Sequence, residues 1–178
     1  MFLATDAHET IKDNQLNEIS FRQASLDDID TIKNWYGRIE GPRYFSHYIP
    51  SSMLDNRNEN KAFLQWYIIL NESNEIGCIW LEQKDQKRNE LDLGVFLNDG
   101  ALMGKGIGKV VIREFIKRRY DLMNDYQTCL NVRTDNQRAI GCYRRIGFEI
   151  TDKRQKKSGE SIIEYYRMRF VKKRIPRL

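Results

Sequence analysis

The chain has 178 residues, 40% of them hydrophobic and 31% charged, the balance of an ordinary globular domain with a core of its own. Its 30 basic and 25 acidic residues leave a net charge of +5, but the signs are interspersed and the basic clusters (117–119, 153–157 and 172–174) are short, which favours a solvated surface over a nucleic-acid face. No apolar run approaches the ~20 residues of a transmembrane helix and no basic, apolar leader opens the chain, while Cys78, Cys129 and Cys142 lack metal-ligand spacing; the expectation is a cytoplasmic protein with reduced thiols, no membrane association and no metal.

Residues 1–17 are polar and weakly patterned, and read as an N-terminal arm. From 18 to 23, EISFRQ alternates and predicts a strand. Ser25 stands as a helix N-cap with Asp28 at the capping-box position, and Leu26, Ile29, Ile32 and Tyr36 follow at helical spacing. Residues 37–60 are irregular, with Gly41, Pro42 and Pro50. They gather Tyr44, Phe45, His47 and Tyr48 behind Trp35 and Tyr36, which suits either a pocket wall or a loop pinned to the core. His47 could act as ligand or base, although packing is the commoner fate of such a histidine.

Residues 63–70 and 75–81 predict two strands around a turn at 71–74, and 84–89 form a polar connection. The strand at 90–97 is informative by parity. Leu91, Leu93, Val95 and Leu97 share one face; Glu90, Asp92, Gly94 and Phe96 share the other. Two carboxylates therefore run toward the loop that follows, where Gly104, Gly106 and Gly108 alternate with Lys105, Ile107 and Lys109. Glycines permit close approach, and a helix N-terminus presents unpaired N–H groups, so the loop reads as a phosphate cradle feeding a helix over 107–120. Residues 127–133 predict a strand, Asn136 caps a helix over 137–146, and Gly147 ends it. Residues 148–152 and 162–170 predict a closing antiparallel pair joined by a Lys-rich turn near Ser158 and Gly159, with a basic tail over 171–178. The order implies one α/β (α+β) domain over 18–170, built on a mixed, mostly antiparallel sheet flanked by helices.

The loop fails two phosphate motifs. A P-loop needs G-x-x-x-x-G-K-[ST], but only three residues separate Gly104 from Gly108, and Val110 follows Lys109. A dinucleotide fingerprint needs different glycine spacing after a first parallel strand. Instead, Met103-Gly104-Lys105-Gly106-Ile107-Gly108 resembles the pyrophosphate loop of the GNAT superfamily of N-acetyltransferases. The run from Asn136 to Phe148, NQRAIGCYRRIGF, resembles that family's N-x-x-A-x-x-x-Y-x-x-x-G-F signature. The closest flavour is the branch with spermidine, amino-sugar, aminoglycoside and ribosomal-protein N-terminal acetyltransferases. Met103 departs from the Arg or Gln that usually opens the loop, so no side-chain role passes to it.

The resemblance implies that acetyl-coenzyme A is the co-substrate. Its pantetheine arm would run along Val95, Phe96 and Leu97, on a strand that splays from the next. Met103, Gly104, Lys105, Gly106, Ile107, Gly108 and Lys109 would surround the pyrophosphate, and Asn136 and Tyr143 would complete the site. An alkylamine near pKa ~10 arrives protonated, so a base is needed. Asp92 is the first candidate and Glu90 the second; the bland reading of each is a surface carboxylate or one that binds a cationic substrate. Tyr143 would return a proton to the departing thiolate, although it also completes an apolar stripe with Ala139, Ile140 and Ile146. Cys142 lacks a paired histidine and is no covalent nucleophile. Gly94 fits a bend or a close ligand approach. The expected acceptor is a small-molecule primary amine of amino-sugar, polyamine or aminoglycoside type. A protein N-terminus such as that of a ribosomal protein, or a non-catalytic acyl-coenzyme A module, are the alternatives, and a homodimer is compatible with either.

Overall fold

The computed structural model describes residues 19–39, 47–54, 63–102, 104–119, 121 and 125–171. The expectations for the N-terminal arm, for Gly41, Pro42, Tyr44, Phe45 and Met103, and for the tail beyond Val171 lie outside the described residues. Among the described residues, alternating sequence builds seven strands into one sheet: β1 (Ile19–Gln23), β2 (Leu64–Asn71), β3 (Asn74–Glu82), β4 (Glu90–Leu97), β5 (Gln127–Arg133), β6 (Phe148–Ser158) and β7 (Ser161–Phe170), in the spatial order β1-β2-β3-β4-β5-β7-β6. Every neighbouring pair is antiparallel except β4 and β5, which run parallel.

The β4–β5 pair positions the site. Its register runs from Glu90 opposite Gln127 to Asp92 opposite Cys129 and then stops. Beyond Asp92 the strands part, so residues 93–97 keep β3 on one side and lose their partner on the other. A wedge therefore opens in the middle of the sheet, and its walls carry backbone polar groups that need a partner.

Helices cover the two faces. The predicted parity of β4 holds: Leu91, Leu93, Val95 and Leu97 enter one core with Val111, Phe115 and Ile116 of α3 (Ile107–Arg118) and Ile140 of α4 (Gln137–Ile146). Phe96 enters the opposite core with Trp66, Ile68, Cys78, Trp80 and Ile32 of α1 (Ile29–Arg38), flanked by the single turn α2 (Ser51–Leu54).

Two expectations change. Leu26 leaves the apolar stripe and is 67% exposed, because residues 26–28 form a 3-10 turn and the helical period starts only at Ile29. The Ser25–Asp28 capping box does form, with the Ser25 N–H donating to the Asp28 carboxylate at 2.7 Å. The Lys-rich segment is not a turn. It continues β6 as far as Ser158, and the reversal is made at Gly159, with φ of +61°. An edge strand exposed on both faces can be fully polar, and its charges discourage strand addition.

Candidate active site

The loop after β4 takes the conformation that its glycines permit. Gly104 and Gly106 have φ of +82° and +84°, the left-handed region that costs other residues about 1–2 kcal/mol. Gly106 then caps α3, its carbonyl accepting from the Lys109 and Val110 N–H groups at 3.0 and 3.2 Å. A Cβ placed on Gly104, Gly106 or Gly108 would meet nothing within 4 Å, so the loop borders open space rather than core. That space is a cavity of about 790 Å3, which runs from the loop along Val95, Phe96 and Leu97 into the β4–β5 wedge.

A second cavity of about 650 Å3 enters the same wedge from the opposite side, walled by His47, Trp80, Glu82, Lys84 and Asp92. The two cavities share Val95, Asn131, Val132, Arg133 and Tyr143. Tyr143 reaches the junction from α4. Asn136 starts that helix by accepting the Ala139 N–H at 3.2 Å, and Gly147 ends it with φ of +120°. The Tyr143 ring packs edge-on against Phe148, with centroids 5.9 Å apart. Burial pushes the phenol well above its ordinary value, so it is a neutral O–H at physiological pH.

The family described as "Acetyltransferase (GNAT) domain" matches residues 18–149. The chain belongs to the GNAT acetyltransferase family. No curated protein matches it. Among solved structures, a chimera of spermidine N-acetyltransferase SpeG from Vibrio cholerae and hSSAT superposes with a TM-score of 0.68 at 16% identity, covering 87% of this chain and 96% of that one. The V. cholerae spermidine N-acetyltransferase in complex with CoA and spermine gives 0.65 at 15% identity, over 85% and 94% of the two chains. A domain from Methanocaldococcus jannaschii gives 0.63 at 18%, over 85% and 98%. At these identities the likeness is one of fold, and the family match carries the activity: an N-acetyltransferase that uses acetyl-coenzyme A.

The GNAT cofactor fits the larger cavity. The open glycine cradle leaves room for a pyrophosphate beside the N–H groups of the first α3 turn, and Lys109, Arg138 and Arg145 bring positive charge to the same space. Of the sequence-expected cofactor residues, Val95, Phe96, Leu97, Gly104, Gly106, Gly108, Lys109, Asn136 and Tyr143 line this cavity. Ile107 does not; it turns into the core at 4% exposure. Lys105 is exposed and lies outside the lining. Cys142 also lines the cavity, and burial raises its thiol.

The two carboxylates expected to supply a base meet an unexpected partner. Arg167 of β7, itself only 7% exposed, donates to Glu90 at 2.8 Å and to Asp92 by a shorter bond, and contacts Asn131 at 3.4 Å. Burial opposes the guanidinium charge, and Asp92, Cys129 and Glu90 together more than offset it, so Arg167 holds its proton more tightly than usual. Lys84 engages Asp92 from the other side at 3.1 Å. Glu90 is held by Arg167 and Arg169 and does not line the acceptor cavity; Asp92 does.

Gly94 lines the acceptor cavity, and a Cβ there would lie 2.1 Å from the Trp80 indole on the neighbouring strand, so the ring is a reason for glycine that the sequence did not show. The Trp80 Nε1–H in turn donates to Glu82 at 3.3 Å. Glu82 is 1% exposed and also accepts from Ser51 Oγ at 2.8 Å and the Ser52 N–H at 3.1 Å. Sequence reasoning passed over Glu82 and Arg167, because each reads locally as an ordinary strand residue.

Proposed function

We propose that this enzyme acetylates the primary amine of a small molecule, with Tyr143 as the proton donor at the junction of two cavities. The carrying observation is that junction: Tyr143 lines both the coenzyme-sized space and the acceptor space, where the β4–β5 pairing ends. An acceptor cavity of about 650 Å3 is the scale of a small-molecule site. The V. cholerae neighbour solved with CoA and spermine binds a small amine on the same fold, which supports the class without naming the acceptor.

Acetyl-coenzyme A, when bound, supplies an activated acyl group whose transfer to an amine releases a thiolate and a proton. The parted edge of β4 over residues 95–97 offers backbone N–H groups where negative charge develops on the carbonyl oxygen. Tyr143, kept neutral by burial, gives its proton to the sulfur side. The amine's proton must be taken on the acceptor side. Asp92 remains there as the sequence candidate, but accepting a proton would break its pairing with Arg167 and Lys84. His47 shares the cavity, and burial together with Lys84 holds its imidazole below the ordinary value, hence neutral and able to accept. We therefore assign proton acceptance to His47, and to Asp92 the fixing of the wedge.

The test is thiol release from acetyl-coenzyme A across a panel of small amines and N-terminal peptides, alongside thermal shift with the cofactor. Small amines should turn over, and Tyr143→Phe should lose the rate while keeping the cofactor shift. Turnover confined to peptides would replace the small-molecule reading with N-terminal acetylation. Cofactor binding with no turnover of any amine would leave a non-catalytic module.

A further inference from the structure

We propose that Glu82 is the positioning residue for His47, fixing where the imidazole stands on the acceptor side of the wedge. This rests on the assignment of proton acceptance to His47 made above. Glu82 closes β3 with its side chain 1% exposed, a place where a carboxylate is costly unless donors surround it. The donors come from two directions. On its own strand the Trp80 Nε1–H donates at 3.3 Å; from the segment that carries His47, Ser51 Oγ donates at 2.8 Å and the Ser52 N–H at 3.1 Å. Lys84 brings its charge to 3.5 Å.

Both sets of donors bear on His47. The Trp80 ring stands against the imidazole, with centroids 6.2 Å apart and planes tilted by 45°. Ser51 opens α2, and Ile49, between it and His47, is buried in the same core as Trp80. Ile49 sets the depth of this segment. Only an acceptor can gather the indole N–H and the two α2 donors, so one carboxylate joins the ring that faces His47 to the turn that follows it.

The charge of Glu82 reaches His47 as well. Burial and then Lys84 lower the imidazole, Glu82 raises it, Lys156 lowers it and Asp92 raises it. Arg133 and the phenols of Tyr36, Tyr143 and Tyr165 border the same cavity. The two effects of Glu82 are separable by sign. Its hydrogen bonds keep the ring seated, and a ring that loosens into water returns toward 6.5; its charge favours the imidazolium, and losing that charge takes the ring further below.

The experiment follows His47 by proton NMR titration of the cofactor-free protein, with His47→Gln identifying its signal against that of His8. Thiol release from acetyl-coenzyme A is measured beside it with propylamine, glucosamine and spermidine. Glu82→Asp keeps the charge but falls one methylene short of its donors, so His47 should move up toward 6.5. Glu82→Gln keeps an acceptor oxygen and loses the charge, so His47 should move down. Ser51→Ala leaves every charge in place, should act as Glu82→Asp does, and takes its place if Glu82→Asp does not fold. Glu82→Asp should also lower kcat by about tenfold or more with KM for acetyl-coenzyme A unchanged, and should add little to the loss in a His47→Gln background. A His47 signal that moves the same way in Glu82→Asp and Glu82→Gln, or stays put in either, overturns the inference, as does full additivity of the kcat losses. His47→Gln at the parental rate overturns the assignment of the base instead. If none of the three amines is turned over, the titrations decide alone.

Discussion

Arg167→Met removes the cation that holds β7, β5 and β4 together where the wedge begins. Methionine keeps most of the buried stem and deletes the charge. The guanidinium side chain is 9% exposed, that of Asp92 14% and that of Glu90 26%, so both carboxylates lose their main partner in a poorly solvated place. Removing one member of a buried pair costs about 3–5 kcal/mol, mostly as the penalty of stranding the other charge. Here Lys84 still reaches Asp92 at 3.1 Å and Glu90 is partly wet, which sets the expectation near the low end, at about 3 kcal/mol. Urea unfolding should show the midpoint falling by about 1–3 M at constant slope. Adding Asp92→Asn should recover part of the loss, since one stranded carboxylate becomes neutral, and the double-mutant cycle reads the coupling directly. Arg167→Lys should not substitute, because an ammonium cannot span Glu90, Asp92 and Asn131 as a planar fork does. A loss below about 1 kcal/mol for Arg167→Met would mean that solvent already screens these charges, and would refute the staple.

Tyr143→Phe should lower kcat by roughly 10²-fold or more with little change in cofactor affinity, and because burial raises the phenol, the parent should hold its rate to pH values above the ordinary tyrosine range; an early alkaline fall that Tyr143→Phe abolishes would contradict the burial argument. Gly94→Ala places a methyl 2.1 Å from the Trp80 ring, which is 3% exposed and tethered to Glu82, and overpacking of that kind should cost about 1–3 kcal/mol in chemical denaturation. His47 has its folded value depressed below 6.5, so in acid the unfolded chain binds the proton first and stability falls as pH drops below 6.5. His47→Gln should flatten that part of the stability profile and lower kcat; identical slopes in parent and variant would show that His47 is not held neutral.

The parts of this molecule that could be read from sequence are those whose physics is local. The parity of β4, the Ser25–Asp28 box, the Asn136 cap and the Gly147 stop each follow from neighbours within a turn or a strand repeat. The glycine loop was legible because left-handed backbone and close approach select glycine. Arg167 was not, since its meaning arises only when β7 returns beside β5 and brings the guanidinium to carboxylates 75 and 77 positions away. Glu82 is the same case, as its burial depends on Ser51 and Ser52 packing over the end of β3. Lys84 and Lys156 read as a solvated connection and a solvated turn. That both line one cavity depends on long-range packing that no local pattern records.

The end of the β4–β5 ladder gives these observations a common consequence. Asp92 is the last residue of β4 paired with β5, and Arg167 binds it there, so the staple sits at the vertex from which both cavity walls diverge. Val95, Asn131 and Val132 face both spaces beyond that vertex. A change in the angle between the strands therefore moves the cofactor wall and the acceptor wall together. The two ligands should bind with mutual dependence, each favouring the wedge geometry that suits the other, and the coupling must be reciprocal in affinity. Arg167→Met tests this without touching either ligand: the dissociation constants of acetyl-coenzyme A and of an accepted amine should rise together, and each ligand should strengthen the other less than in the parent. If the variant weakens one ligand and leaves the other as it was, the walls move independently and the vertex is not a shared hinge.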